Sequence, residues 1–247
     1  MKNNELETKN ELQDERLLNS TVGRRSFLQY AGASAAAIAL VAAGCKKDRG
    51  YENPTMNGGV TLDFKDDFGV LNYAYALEQL EAAFYIQVAN SNTQFTGTNA
   101  AAKKAYFQDI QFHEIAHREF FKAALSTNAI GSLEVDFSSI DFTSEASVLG
   151  AAMAFEDLGV AAYNGAGPRI KTGAYLLLAG KIVSVEARHA AYIRDLVSNG
   201  SFADLNSLAT LGADNGKGLD AALTPDKVLA ANAAGKYIKT KVSVINL

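Results

Sequence analysis

The sequence predicts an all-α protein: a four-helix bundle of two helical hairpins, joined by one long crossover and followed by a short C-terminal helix. Three observations predict it. Apolar residues recur at helical spacing through four segments, roughly 66–89, 99–126, 143–165 and 172–198. The second and fourth segments carry the same pair, Glu114-Ile-Ala-His117 and Glu186-Ala-Arg-His189, while the first and third carry a glutamate followed seven residues later by a tyrosine, Glu78/Tyr85 and Glu156/Tyr163. Finally, the midpoints between successive glutamates fall where a hairpin would turn. Position 96 lies within the polar stretch Asn90–Asn99, and position 171 lies at Lys171-Thr-Gly173.

Residues 1–45 stand apart from the bundle and resemble an export signal. Gly23-Arg-Arg-Ser-Phe-Leu28 is similar to a twin-arginine motif, and an Ala-rich run from Ala31 to Ala43 follows it. Ala42-Ala-Gly-Cys45 then resembles a bacterial lipoprotein cleavage box, although leucine is commoner at its first position. That resemblance implies cleavage, a lipid on Cys45, and a periplasmic or outer-membrane-anchored lipoprotein. The alternative is a plain membrane anchor. The run from Ser26 to Gly44 is short and Ala/Gly-dominated, marginal against the roughly 20 residues a spanning helix needs. Residues 46–65, with Asn53, Pro54 and Gly58-Gly59, read as a tether.

The bundle is expected over residues 66–199. Alanine-rich stretches such as Ala151-Ala-Met-Ala154 favour helix and let axes approach closely. Pro168 should end or kink the third helix. Helices of about 25 residues span about 38 Å. The connection 127–142, if extended, reaches at most about 55 Å, enough to run the bundle's full length. Residues 200–247 form an extension expected to pack on the bundle. Within it, Leu205–Leu211 suits a short turn, and Thr224-Pro-Asp-Lys-Val starts a fifth helix through Ala233. The end, Lys239–Leu247, has strand-like alternation.

Composition narrows the function. Cys45 is the only cysteine, so no disulfide is expected in the mature domain and a packed core must hold it. The net charge is −4 and no basic stripe is present, which argues against nucleic acid as a partner. The pairs Lys103-Lys104, Arg118-Glu119 and Arg194-Asp195 read as solvated faces.

The chemistry lies in the glutamates and histidines. Residues i and i+3 share a helix face, so each Glu-x-x-His pair aims a carboxylate and an imidazole the same way. Two such helices, with one inward glutamate from each of two others, make the donor set of a carboxylate-bridged two-metal site. The expected ligands are Glu78, Glu114, His117, Glu156, Glu186 and His189. Buried carboxylates stay charged only when paired or metal-bound, and two divalent cations neutralise four of them. Oxygen and imidazole donors suit iron in the first place, with manganese as the alternative. Glu81, one turn beyond Glu78, could replace or supplement it; the i+7 tyrosine favours Glu78. His113 lacks a glutamate at i−3 and reads as a partly exposed or outer neighbour. Tyr85 and Tyr163 have two readings, as catalytic side chains lining the pocket that bond a ligand or donate electrons, or as core aromatics.

Residues 66–199 resemble a ferritin-like four-helix domain, with the ligand spacing of bacterioferritin-type iron sites. Asp67–Tyr85, Val185-Glu-Ala-Arg-His-Ala-Ala191 and Gly218–Asp226 are most similar to the ferritin-like family that includes plant desiccation-related proteins. The resemblance implies a di-iron or mixed iron–manganese centre with ferroxidase-like chemistry on O2 or peroxide. Two alternatives stay open: peroxide disproportionation like that of a manganese catalase, and a non-enzymatic, stress-protective bundle. The expected partners are O2 or peroxide, the membrane through Cys45, and further copies of the chain in a homo-oligomer.

Overall fold

The structure, a computed structural model, describes residues 59–247; the expected export signal with Arg24, Arg25 and Cys45, and the tether up to residue 58, lie outside the described residues. Strand β1 (Val60–Asp63) leads into four long helices: α1 (Asp67–Asn90), α2 (Ala100–Leu125), α3 (Glu145–Ala166) and α4 (Gly173–Val197). Short 3-10 turns follow at Ser201–Ala203 and Leu205–Leu211, then α5 (Pro225–Ala230), α6 (Asn232–Gly235) and strand β2 (Val242–Ile245). Each long helix starts and stops within two residues of its expected bounds. The protein is all-α in character, and α1 packs on α2 as α3 packs on α4.

Local chemistry sets the helix ends. The Asp66 side chain accepts from the Phe68 N–H and caps α1, and Ser144 caps α3 through the Ser147 N–H. Asp67, in the first turn of α1, also accepts from the backbone N–H groups of Lys171 and Thr172 at 2.7 and 2.9 Å. One carboxylate thus ties the start of α1 to the turn between α3 and α4. Helix α3 stops at Ala166, and a 3-10 turn through Pro168 redirects the chain into α4.

Helices α1 and α3 are the central pair, buried nearly all round, whereas α2 and α4 each leave a broad face to solvent. Two segments cover the central pair. The crossover between α2 and α3 runs along α1, held by side chains seven residues apart. Asn72 donates to the Asn128 carbonyl and accepts from the Ile130 N–H, and Gln79 does the same with Gly131 and Leu133. The C-terminal extension lies on α3, where the Leu223 N–H donates to the Ala161 carbonyl and Asn164 donates to Ala221. Gly165 permits that approach, since a Cβ there would stand 1.8 Å from the Leu223 carbonyl oxygen. Between these layers Phe84, Phe137, Phe142 and Phe155 form the aromatic centre of the core.

Three expectations need correction. The tether does not extend to residue 65: Val60–Asp63 pairs in parallel with Val242–Ile245, and Leu62 and Phe64 are buried. An apolar alternation too short to announce a strand alone gains its partner from the far end of the chain. The fifth helix is broken at Ala231, which is extended, so that Val228 and Ala234 both bury from two short helices. Thr224 stands at the N-cap of α5, but its side chain makes no capping hydrogen bond.

Candidate metal centre

The four glutamates expected from spacing meet at one level of the bundle, one from each long helix. Glu78, Glu114, Glu156 and Glu186 are fully buried, and His189 is nearly so. His117 keeps 13 % of its side chain exposed, at the edge of the cluster. The Nδ1 atom of His117 stands 2.9 Å from Glu186, 3.5 Å from Glu78 and 3.6 Å from Glu114. That of His189 stands 3.1 Å from Glu114, 3.4 Å from Glu156 and 3.9 Å from Glu186. Two groups of donors result: Glu78, Glu114, His117 and Glu186, and then Glu114, Glu156, Glu186 and His189. Within each group the donor atoms lie within 4.8 Å of one another, and Glu114 and Glu186 belong to both.

The tyrosines cross between the halves. Each bonds one of the expected ligands, as the pocket-lining reading had it, and the glutamate it bonds is that of the other half. Tyr85 donates to Glu156 Oε1 and Tyr163 donates to Glu78 Oε1. The i+7 spacing brings the phenol to the level of the site, and the rotamer carries its hydroxyl across to the facing helix.

Residues 66–199 match the family model of the ferritin-like domain. The chain belongs to the ferritin-like family. No curated protein matches it.

A ferritin-like centre is expected to hold metal, and the polar atoms here suit one. The N···O approaches around His117 and His189 lack hydrogen-bond alignment. Eight buried atoms of the six side chains, including both histidine Nδ1 atoms and both oxygens of Glu114 and of Glu186, have no partner among the described residues. Such groups are costly in a core unless something binds them. The buried Glu/His groups could hold a metal ion, and the donor set is one of hard oxygens and imidazole nitrogens.

Proton affinities in the cluster follow from burial and mutual charge. Burial pushes Glu78 up to about 7, against the pull of His117 and Tyr163. It also raises Glu156 and, with the repulsion of Glu114, Glu186. Burial acts on Glu114 as well, yet the imidazoles of His117 and His189 together hold it down to about 2. Burial disfavours the imidazolium of His189, but Glu114 and Glu156 raise it to about 10. His117 is pushed far above the ordinary imidazole range by Glu114, Glu186 and Glu78, again against burial.

The surroundings of this ferritin-like site were only partly foreseen. His113 is exposed and stands outside both donor groups, as its sequence context implied, but its Nδ1 lies 2.9 Å from His189 Nε2 with the rings stacked. It thereby engages the nitrogen that His189 does not turn toward the glutamates. Arg194, expected on a solvated face, is 6 % exposed and donates to Asp157 at 2.5 Å and to Ser207. Burial still pushes Asp157 up to about 6 beside that guanidinium. Lys103 is likewise no solvated charge; it pairs with Glu145 across the α2–α3 ends and donates to the Thr96 carbonyl. A signal for Arg194 was available, since Ile193 and Ala190 mark the buried face that it flanks.

Proposed function

We propose that this ferritin-like chain is an oxidoreductase that holds two metal ions, iron in the first place and manganese as the alternative, and acts on O2 or peroxide. The observation that carries this reading is the sharing of Glu114 and Glu186 between two otherwise separate donor groups. Glu78 and His117 would complete one position, Glu156 and His189 the other, and the shared carboxylates would join them. When bound, the metal pair supplies electrons and Lewis acidity toward the small oxidant.

The remaining roles belong to the chain's own residues. Tyr85 holds Glu156 through its hydroxyl, and Tyr163 holds Glu78, which fixes the orientation of each carboxylate. Both phenols touch a carboxylate directly, so each can pass a proton to the oxygen it bonds and donate an electron from the ring. Phe107, Phe121 and Phe155, all buried, keep water from the core around the cluster. Entry for a small reactant is supported on the α2–α4 side, where His117 is partly exposed and His113 is open. His113 orients His189, as outer partners do for metal-bound imidazoles.

Elemental analysis followed by O2 consumption on adding Fe2+ anaerobically, then air, tests the proposal. Two irons per chain and oxygen uptake support it. Two manganese ions with O2 release from peroxide would move the assignment to catalase-like chemistry. Protein that carries no metal, and whose melting is indifferent to chelator, would be a structural bundle. Residues 1–45 further support an exported chain anchored through lipid on Cys45. Cys45→Ser should then abolish fatty-acid labelling, and replacing Arg24 and Arg25 by Lys should hold the precursor inside the cell.

A further inference from the structure

An apolar pocket lies beside Tyr163, and the matching space beside Tyr85 is filled. With Glu78 aligned on Glu156 and Glu114 on Glu186, Phe84, Val88 and Phe107 correspond to Ala162, Ala166 and Ala179. Aromatic rings crowd Tyr85, with the centroid of Phe84 at 5.0 Å and that of Phe107 at 5.9 Å. In the other half those two rings become methyl groups, and all three alanines line about 350 Å³ of empty space, the open mouth included. Its buried walls include Leu77, which precedes Glu78, and Phe121, one turn beyond His117. Tyr163 is a third such wall, and its hydroxyl donates to Glu78. Gly167, Ile170 and Ala179 are partly exposed, so the pocket opens at the turn between α3 and α4.

We propose that this pocket admits O2 to the Glu78 and His117 side of the metal centre. The proposal rests on the reading of the cluster as a two-metal site that acts on O2 or peroxide, and it gives the two oxidants different routes. The surface that the walls present is almost all carbon. Space enclosed by carbon disfavours water and takes apolar guests. O2 is such a guest. Peroxide is not, because it would give up its hydrogen bonds to water on entering. The edge at His117 and His113 is polar and suits peroxide instead.

Xenon, an apolar probe, tests the pocket without any reaction. Crystals of the full-length protein pressurised with xenon should show an atom against Leu77, Phe121 and Tyr163. None should appear in Ala179→Phe, which places on α4 the ring that Phe107 supplies on α2. In the iron-loaded protein the same variant should raise the KM for O2 about tenfold, the lower end of what hydrocarbon contacts are worth in an apolar pocket. Its rate with peroxide should be unchanged. Ala166→Val adds two methyl groups at the position matching Val88, and should raise the KM for O2 by less. It tests the idea even if Ala179→Phe fails to fold. Wild type that holds two irons but takes no xenon in the pocket overturns this inference alone, as do variants that slow O2 and peroxide equally or slow neither. Wild type that takes up no metal overturns the two-metal reading and this inference with it.

Discussion

Helices α1–α2 and α3–α4 can be compared position by position. Glu78, Tyr85, Glu114 and His117 in the first pair have Glu156, Tyr163, Glu186 and His189 as counterparts in the second, and each tyrosine reaches across to the other pair's glutamate. Their immediate neighbours do not correspond. Glu81 faces Gly159, His113 has Val185 in its place, and Gln79, which binds the crossover, is replaced by Asp157, which binds Arg194. The difference teaches where the symmetry is needed. Side chains that meet at the centre must serve two equal positions, whereas the residues beside them attach each half to a different cover. The two metal positions of the proposed centre therefore share a donor set but not an environment.

The largest effect should come from the shared carboxylates. Glu114→Ala or Glu186→Ala removes a donor from both groups and should abolish two-metal loading in elemental analysis, with helical circular dichroism retained. Chelator should lower the melting temperature of wild type and scarcely change that of either variant. Glu78→Ala and Glu156→Ala belong to one group each, and should cost one metal apiece; loss of both ions from either would show that the groups do not act separately. His113→Ala should weaken one metal about tenfold in competition titrations, while Val185→Ala leaves both unchanged. An equal loss from both would erase the asymmetry.

A pH series sharpens the comparison in metal-free protein. Glu78 has its carboxyl raised from 4.5 to about 7, so the unfolded chain ionises first and stability falls across that window. His189, raised from 6.5 to about 10, contributes stability that is complete below 6.5 and lost as pH climbs through 10. The signs agree, and melts between pH 5 and pH 10 should show a steady decline that bound metal flattens. The smallest effect is expected from Tyr85→Phe and Tyr163→Phe, each removing one hydrogen bond to a carboxylate. Each should cost about 1.5–3 kcal/mol in denaturant melts of the metal-free form, equally in the two halves.

Much of this was legible because helical periodicity repeats over some seven turns, long enough for spacing to fix which residues share a face. Glu78 and Glu156 could be paired with their Glu-x-x-His partners because antiparallel hairpins place facing residues equally far from a turn. The crossing of Tyr85 and Tyr163 was not legible, since spacing gives the level of a side chain and not its rotamer. Arg194 looked solvated because its partners, Asp157 and Ser207, come from α3 and from an irregular segment without periodicity. Strand β1 was hidden for the same reason: four residues carry no pattern until Val242–Ile245 is beside them.

That strand pair has a consequence for the order of events in biosynthesis. Val60 registers with Val242, so the strand leading into the bundle finds its strand partner, among the described residues, only in residues made after every helix. Loop closure over so long a stretch is slow compared with forming a helical hairpin. A nascent chain can assemble all four ligand-bearing helices while its entry strand and exit strand remain unjoined. The parallel pair then acts as a latch that reports completion. Proteolysis between residues 59 and 66 during synthesis should stop abruptly when residue 245 becomes free, long after the helices have become resistant.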